Sequence, residues 1–121
     1  MAELHETGKK GEKLAAELLI SKGYQILETN WRFSRAEIDI IAKIQEILVF
    51  VEVKTRSSEF FGQPEEFIDY KKEKLIADAA SEYMKQVGHE WECRFDFISI
   101  ILTGPSYRIK HIEDAFFPGI E

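Results

Sequence analysis

The centre of the chain is the sequence Ile47-Leu48-Val49-Phe50-Val51-Glu52-Val53-Lys54, an apolar run with two charges near its end. Valine and phenylalanine favour β-strands, and a short unbroken apolar run predicts a strand that is covered on both faces. Because alternate strand residues point to the same side, Glu52 and Lys54 share a face, about 7 Å apart. Neither charge is easily buried alone, so each needs a partner or an ion. The simplest interpretation is an ion pair between the two at the end of a core strand.

A second predicted strand, Glu37-Ile38-Asp39-Ile40-Ile41-Ala42-Lys43, changes this interpretation. If the two strands form an antiparallel hairpin that turns at the short polar interruption Gln45-Glu46, the numbers of paired residues sum to about 91. The turn lacks the Asn-Gly signature, so this register is inferred from the chemistry as much as from the loop. Asp39 then lies opposite Glu52, with Cβ atoms roughly 5 Å apart. Two carboxylates at that distance repel each other unless a divalent cation lies between them. An Asp followed thirteen residues later by Glu-x-Lys on the neighbouring strand therefore predicts a metal site of the kind found in nucleases.

Length and composition predict a single domain, residues 1–121, in the cytoplasm. One cysteine excludes an internal disulfide and a Cys-rich zinc site, and we see neither a membrane-length apolar run nor a signal peptide. The net charge of −6 argues against a nucleic-acid-binding protein. Residues 1–56 carry nine Lys or Arg against nine Asp or Glu, however, so the half with the predicted site is neutral. A bound Mg²⁺ would make its surface positive.

The remaining patterns predict the order α-β-β-β-α-β-β, an α/β fold with a mixed sheet of about five strands and a helix against each face. The first helix is expected over 8–22, with Thr7 as N-cap and Gly23 as its stop. The second is expected over 65–87, after a mobile loop at 55–64. Strands are expected at 24–28, 37–43, 47–54, 93–102 and 107–112, with 30–33 beginning a further piece of sheet.

Glu12 lies in the first helix, at the start of its apolar stripe. A carboxylate in a first turn is favoured by the helix dipole, which is the purely structural interpretation. The functional interpretation is that Glu12 points along the sheet toward Asp39 and Glu52.

The layout, with Glu12, then Asp39, then Glu52-Val53-Lys54, resembles the PD-(D/E)XK nuclease superfamily. More narrowly, the chain resembles the uncharacterised YraN-like bacterial family, itself similar to archaeal Holliday junction resolvases. Four motifs match that family: Gly11-Glu12, Glu37-Ile38-Asp39, Phe50-Val51-Glu52-Val53-Lys54 and Arg94-Phe95-Asp96. The lysines of the second helix match as well, and the departure is Ala36, where that family has Gly. The resemblance implies a restriction-endonuclease-like fold and a metal-dependent endonuclease that hydrolyses phosphodiester bonds in DNA, including branched or junction DNA.

The resemblance also implies roles for individual residues. Glu12, Asp39, Glu52 and Lys54 are the candidate catalytic residues. Asp39, Glu52 and the backbone carbonyl of Val53 are expected to bind Mg²⁺ or Mn²⁺, with Glu12 as a candidate further ligand. Lys54 is expected to orient or deprotonate the attacking water and to stabilise developing negative charge.

An acidic chain can bind nucleic acid only if its cationic side chains lie together on one part of the surface. The candidates are Lys9, Lys10, Lys13, Arg56, Lys71 and Lys74, and a two-fold homodimer would double that footprint. Lysines on a helix also commonly form no more than a solvated face.

Two other functions fit the same residues. One is a nucleic-acid-binding module that kept the fold without efficient catalysis. The other is an interaction protein that dimerises through apolar side chains such as Phe60, Phe61, Trp91 and Phe117. Stabilisation by Mn²⁺ or Mg²⁺ is required by the metal-site hypothesis and not by the interaction hypothesis.

Overall fold

The structure is a computed structural model that describes residues 2–57 and 70–115, with side chains from residue 8 and from residue 71 onward in these ranges. Its elements are α1 (Ala2–Ser21), β1 (Gln25–Phe33), β2 (Ala36–Ile44), β3 (Ile47–Arg56), α2 (Tyr70–Val87), β4 (Cys93–Thr103) and β5 (Ser106–Ile112). The strands form one sheet in the order β1-β2-β3-β4-β5. The pair β3–β4 is parallel and the other pairs are antiparallel. This mixed sheet and element order confirm the predicted fold.

The β2–β3 hairpin has the predicted register. Its pairs run from Ile44 with Ile47 to Ile40 with Val51, and the turn between them contains Gln45 in the left-handed region (φ 53°). Asp39 and Glu52 are the next residues after the last pair, Ile40 with Val51. Continuing the same register would place them opposite each other.

The apolar run of β3 is covered on both sides, as predicted, because its alternate residues pack into two different cores. Phe50 belongs to the core under α2, with Ile38 and Ile76. Val51 belongs to the core under α1, with Leu19. The carboxylate of Glu52 has the same strand parity as Phe50, which puts it on the α2 face.

Three sequence predictions need correction. Helix α1 begins at Ala2 and not at residue 8, so Thr7 lies inside the helix and is not its N-cap. Residues 24–28 and 30–33 are not separate pieces of sheet, because β1 runs from Gln25 to Phe33 without a break. Its register shifts between Ile26 and Glu28, and Asn30 has a positive φ of 51°. Arg56 is part of β3 and not of a loop.

Helix α1 ends as predicted, since Gly23 adopts a φ of 94° that a residue with a Cβ rarely takes. Helix α2 is described from Tyr70, and the predicted helical residues 65–69 lie outside the described ranges, as do residues 58–64 of the predicted loop and Phe117. Neither α1 nor α2 has a segment long and apolar enough to cross a membrane.

Candidate active site

Asp39 and Glu52 meet where β2 and β3 separate. The backbone N–H of Val53 donates a hydrogen bond of 2.8 Å to Oδ2 of Asp39, one residue beyond the end of the β2–β3 ladder. The carboxyl group of Glu52 lies near enough to Asp39 to act on it by hydrogen bonding and by charge. Two carboxyl groups this close are compatible only with a proton or another cation between them, so the structure brings the predicted pair together.

The surroundings of Asp39 disfavour its charge. Burial is the largest cause, followed by the hydrogen bond and the negative charge of Glu52, and together they raise the pKa of Asp39 to about 9. The Val53 N–H opposes this shift, and the charge of Glu12 adds to it. At neutral pH Asp39 therefore holds a proton, and a metal cation between the two carboxyl groups could replace it.

Glu52 reaches across the sheet face to α2. Its side chain is only 3% exposed, and the ammonium group of Lys72 contacts its Oε2. This ionic contact lacks the alignment of a hydrogen bond, and no other described group donates one to that oxygen. The buried carboxylate thus has one cation from α2 as its close partner.

Lys72 was not among the residues predicted for the site, although its neighbours Lys71 and Lys74 were. Those two are exposed, whereas Lys72 lies four residues before the buried Ile76 and so on the packed side of the helix. This helical spacing was the signal in the sequence that could have singled out Lys72.

Lys54 lies on the same face as Glu52 and lines the same cavity. Burial is the main cause that lowers its pKa, and the positive charges of Lys72 and Arg56 add to the effect. The charges of Glu52 and Asp39 oppose it. The amine is therefore closer to its neutral, proton-accepting form than an ordinary lysine would be.

Glu12 approaches from the opposite face of the sheet. A Cβ on Gly11 would collide with the side chain of Thr55, coming within 2.9 Å of its Cβ, so the glycine allows α1 to press against the end of β3. Glu12 then accepts a hydrogen bond of 3.1 Å from Nδ2 of Asn30. Its charge acts on Asp39, although it is not among the described residues that line the cavity on the α2 face.

That cavity has a volume of about 370 Å³ and carries charges of both signs. Its lining consists of Arg35, Ala36, Glu37, Asp39, Glu52, Val53, Lys54, Lys72, Leu75 and Ile76. Ala36 is buried and belongs to the core under α2, so the methyl group that replaces the expected glycine packs beside the acids. The cavity places the carboxyl pair beside three cationic side chains.

The predicted nucleic-acid contacts do not form one patch. Lys9, Lys10 and Lys13 are exposed on α1, whereas Lys71 and Lys74 are exposed on α2, across the sheet. Arg56 is partly buried near Lys54.

The donor set at Asp39 and Glu52 fits a hard divalent cation. Both groups supply carboxylate oxygens, they lie close together, and one of them contacts a cationic side chain. Within residues 2–57 and 70–115, no group of three or more His, Cys, Asp or Glu side chains is arranged to hold a metal ion. An ion here would use two carboxylates and otherwise backbone oxygen or water, as Mg²⁺ commonly does.

A second buried acid, Asp96, lies on the α1 face and was noted in the sequence only within Arg94-Phe95-Asp96. Arg94 donates two hydrogen bonds of 2.8 Å to it, and His111 Nε2 lies 2.7 Å from Oδ2. The backbone N–H of Asp114 donates another at 3.0 Å. Burial would raise the pKa of Asp96, but the bonds from His111, Arg94 and Asp114 outweigh it and hold the pKa below its usual value.

Comparison with known proteins gives a consistent family. The chain matches the uncharacterised protein family UPF0102 over residues 11–100. It is 50% identical over 117 residues to a UPF0102 protein of Flavobacterium psychrophilum, covering 97% of this chain and 98% of that protein. UPF0102 proteins of Christiangramia forsetii and Bacteroides thetaiotaomicron are 47% and 46% identical, with at least 97% of this chain and 98% of each relative covered. The chain therefore belongs to family UPF0102, the YraN-like family that its motifs resemble.

Proposed function

We propose that this protein is a divalent-metal-dependent endonuclease of the PD-(D/E)XK superfamily that hydrolyses phosphodiester bonds in DNA. The observation that carries the proposal is the contact between Asp39 and Glu52 at the point where β2 and β3 separate. Two carboxyl groups lie close together here, with Lys54 on the same face. A role in binding a cation explains this arrangement better than a contribution to the stability of the fold. Burying like charges side by side weakens the metal-free fold.

In this proposal Asp39, Glu52 and the carbonyl of Val53 hold Mg²⁺ or Mn²⁺. The ion supplies positive charge that neutralises the scissile phosphate and favours attack by water. Lys54 lies beside the carboxylates, and its lowered pKa suits it to accept a proton from the attacking water or to return one. Glu12 acts from the other face of the sheet as a positioning residue for Asp39 and a candidate further ligand.

We further propose how such an enzyme engages DNA. The exposed lysines of α1 and α2 lie on opposite faces of the sheet, which suits a substrate that contacts the protein on more than one side. A branched or junction DNA contacted by a two-fold dimer has that property, because each subunit would then bring one site to one arm. Such a substrate implies a cytoplasmic protein.

The test is cleavage of branched, nicked and single-stranded DNA in the presence of Mn²⁺. Wild type should cleave at least one substrate class, and Asp39→Asn should reduce the rate by about two orders of magnitude or more. Glu37→Gln is the matched control, because Glu37 lines the same cavity on the same strand but pairs with the exposed Arg32. It should retain most of the activity.

Two other outcomes would contradict the proposal in different ways. DNA binding without cleavage of any substrate would support the alternative of a binding module that lacks efficient catalysis. Equal cleavage by wild type and Asp39→Asn would assign the activity to a contaminant or to another site.

A further inference from the structure

We infer that Lys72 is an internal counter-ion of Glu52 that a divalent cation must displace when it binds to the candidate site. The inference rests on the proposed function, since it assumes that Asp39 and Glu52 bind a metal ion. The inference adds Lys72 of α2 to the site. It also means that the ammonium group of Lys72 occupies different positions in the metal-free and the metal-bound protein.

The first step is that Glu52 requires a cation in the metal-free protein. Its side chain is 3% exposed, and the adjacent Asp39 brings a second acid rather than a counter-charge. A buried carboxylate without a partner is strongly unfavourable. Lys72 supplies the missing charge by direct contact with Oε2.

The second step is that Lys72, and not Glu52, is able to move. The Lys72 side chain is 40% exposed, whereas Glu52 is held in a buried strand between two cores. A lysine carries its charge on a flexible four-carbon stem and is strongly hydrated in water. Its ammonium group can therefore swing into the cavity or to the solvent while the strand stays in place.

The third step is that the ammonium group and a divalent ion cannot share the same oxygen. Arg35 and Lys54 already line the cavity with Lys72, so a divalent ion would enter beside three positive side chains. The Lys72 ammonium group is the one in contact with Glu52, so it would repel a divalent ion bound to the same oxygen. This repulsion is removed if the ammonium group moves away from Glu52. Loss of that contact opposes metal binding, so Lys72 weakens the apparent affinity of the site.

The experiment compares wild type with Lys72→Met and with the control Lys85→Met. Lys85 is exposed in the last turn of the same helix, so its replacement makes the same change in net charge away from the cavity. Mn²⁺ affinity is measured by isothermal titration calorimetry, and stability without metal by thermal unfolding in the presence of a chelator. Lys72→Met should bind Mn²⁺ about tenfold more tightly than wild type, since one competing unit charge is gone. Without metal it should unfold at a lower temperature, while Lys85→Met binds Mn²⁺ like wild type.

The outcomes separate this inference from the proposed function. If wild type binds Mn²⁺ and Lys72→Met binds with equal or weaker affinity, Lys72 does not compete with the ion and the inference is overturned, while the metal site stands. If Lys72→Met binds Mn²⁺ and wild type does not, the inference is supported in its strongest form. If none of the three proteins binds Mn²⁺, the proposed function fails and the inference fails with it.

Discussion

Two aspartates on opposite faces of the sheet, Asp96 and the half-buried Asp39, differ in how many hydrogen-bond donors reach them. Asp96 is fully buried and receives hydrogen bonds from Arg94, His111 and the Asp114 N–H, which keep it ionised. Asp39 receives one backbone hydrogen bond, from Val53, and otherwise faces a second acid. Burial raises the pKa of both groups, so the neighbours explain the opposite shifts: hydrogen-bond donors at Asp96 and a second acid at Asp39. A complete donor set indicates a structural site, whereas an incomplete one leaves room for a cation.

The largest expected difference is in stability after removal of each charge. Asp96→Asn should lower the free energy of unfolding by about 3–5 kcal/mol, because the Arg94 guanidinium, 14% exposed, then loses the buried carboxylate and keeps, among the described residues, only the longer ionic contact of 3.6 Å with Glu113. Urea unfolding at pH 7 measures the effect. Asp114→Asn is the control: its side chain is exposed, Asn tolerates its φ of 56°, and the change should stay within about 0.5 kcal/mol. A loss below about 1 kcal/mol in Asp96→Asn would remove the distinction between the two acids.

The second expected difference is in pH dependence. The folded protein keeps a proton on Asp39 that the unfolded chain releases above its ordinary pKa of 3.8, so stability should fall as the pH rises from about 4 toward about 9. Asp39→Asn should remove this slope and, without metal, exceed wild type by about 2 kcal/mol at pH 8. The gain is below the single-proton limit of about 1.4 kcal/mol per pH unit, because Asp39 is only half-buried and solvent screens part of the effect.

Urea unfolding from pH 5 to pH 8, in the presence of a chelator, measures this slope. Asp96 should act in the opposite sense: its lowered pKa gives stability that is present above pH about 4 and lost as the pH falls through its folded pKa. Asp96→Asn should therefore reduce the loss of stability on acidification below about pH 4. It should leave the slope of the unfolding free energy from pH 5 to pH 8 unchanged. A pH-independent difference between wild type and Asp39→Asn would mean that Asp39 does not hold a proton at neutral pH.

The smallest of these effects is stabilisation by metal. Mn²⁺ at ten times its dissociation constant should stabilise wild type by about 1.4 kcal/mol, seen as a rise in melting temperature. Asp39→Asn should lose that gain, whereas Glu37→Gln, which alters an exposed acid of the same cavity, should keep it. An equal response in wild type and Asp39→Asn would locate any bound ion elsewhere.

Much of the candidate site could be predicted because it lies within one hairpin. The apolar run of β3 has to be buried on both faces, and the short polar turn at Gln45-Glu46 together with the chemistry of the acids indicated the register that the structure has. From that register it follows that Asp39 faces Glu52, and strand parity puts Lys54 on the same side. Both positions depend only on the backbone of two strands that are adjacent in the sequence. A local sequence pattern can encode such a hairpin.

Local details were less predictable. The start of α1 at Ala2 is not marked by the residue types near Thr7, and β1 continues through Asn30 with a positive φ, while Thr29 and Trp31 on either side pair with β2. A sequence pattern indicates that a helix or strand is present more reliably than it indicates the first and last residues of that element.

Residues from different elements came together only in the folded chain. Lys71, Lys72 and Lys74 are alike as a sequence, and the orientation of α2 on the sheet selects Lys72 as the partner of Glu52. His111 lies fifteen residues from Asp96, on a separate strand, and no spacing rule links the two. Periodicity in a sequence determines which residues share a face of one helix or strand. The distance between side chains of different elements depends on how those faces pack, and packing is a property of the whole fold.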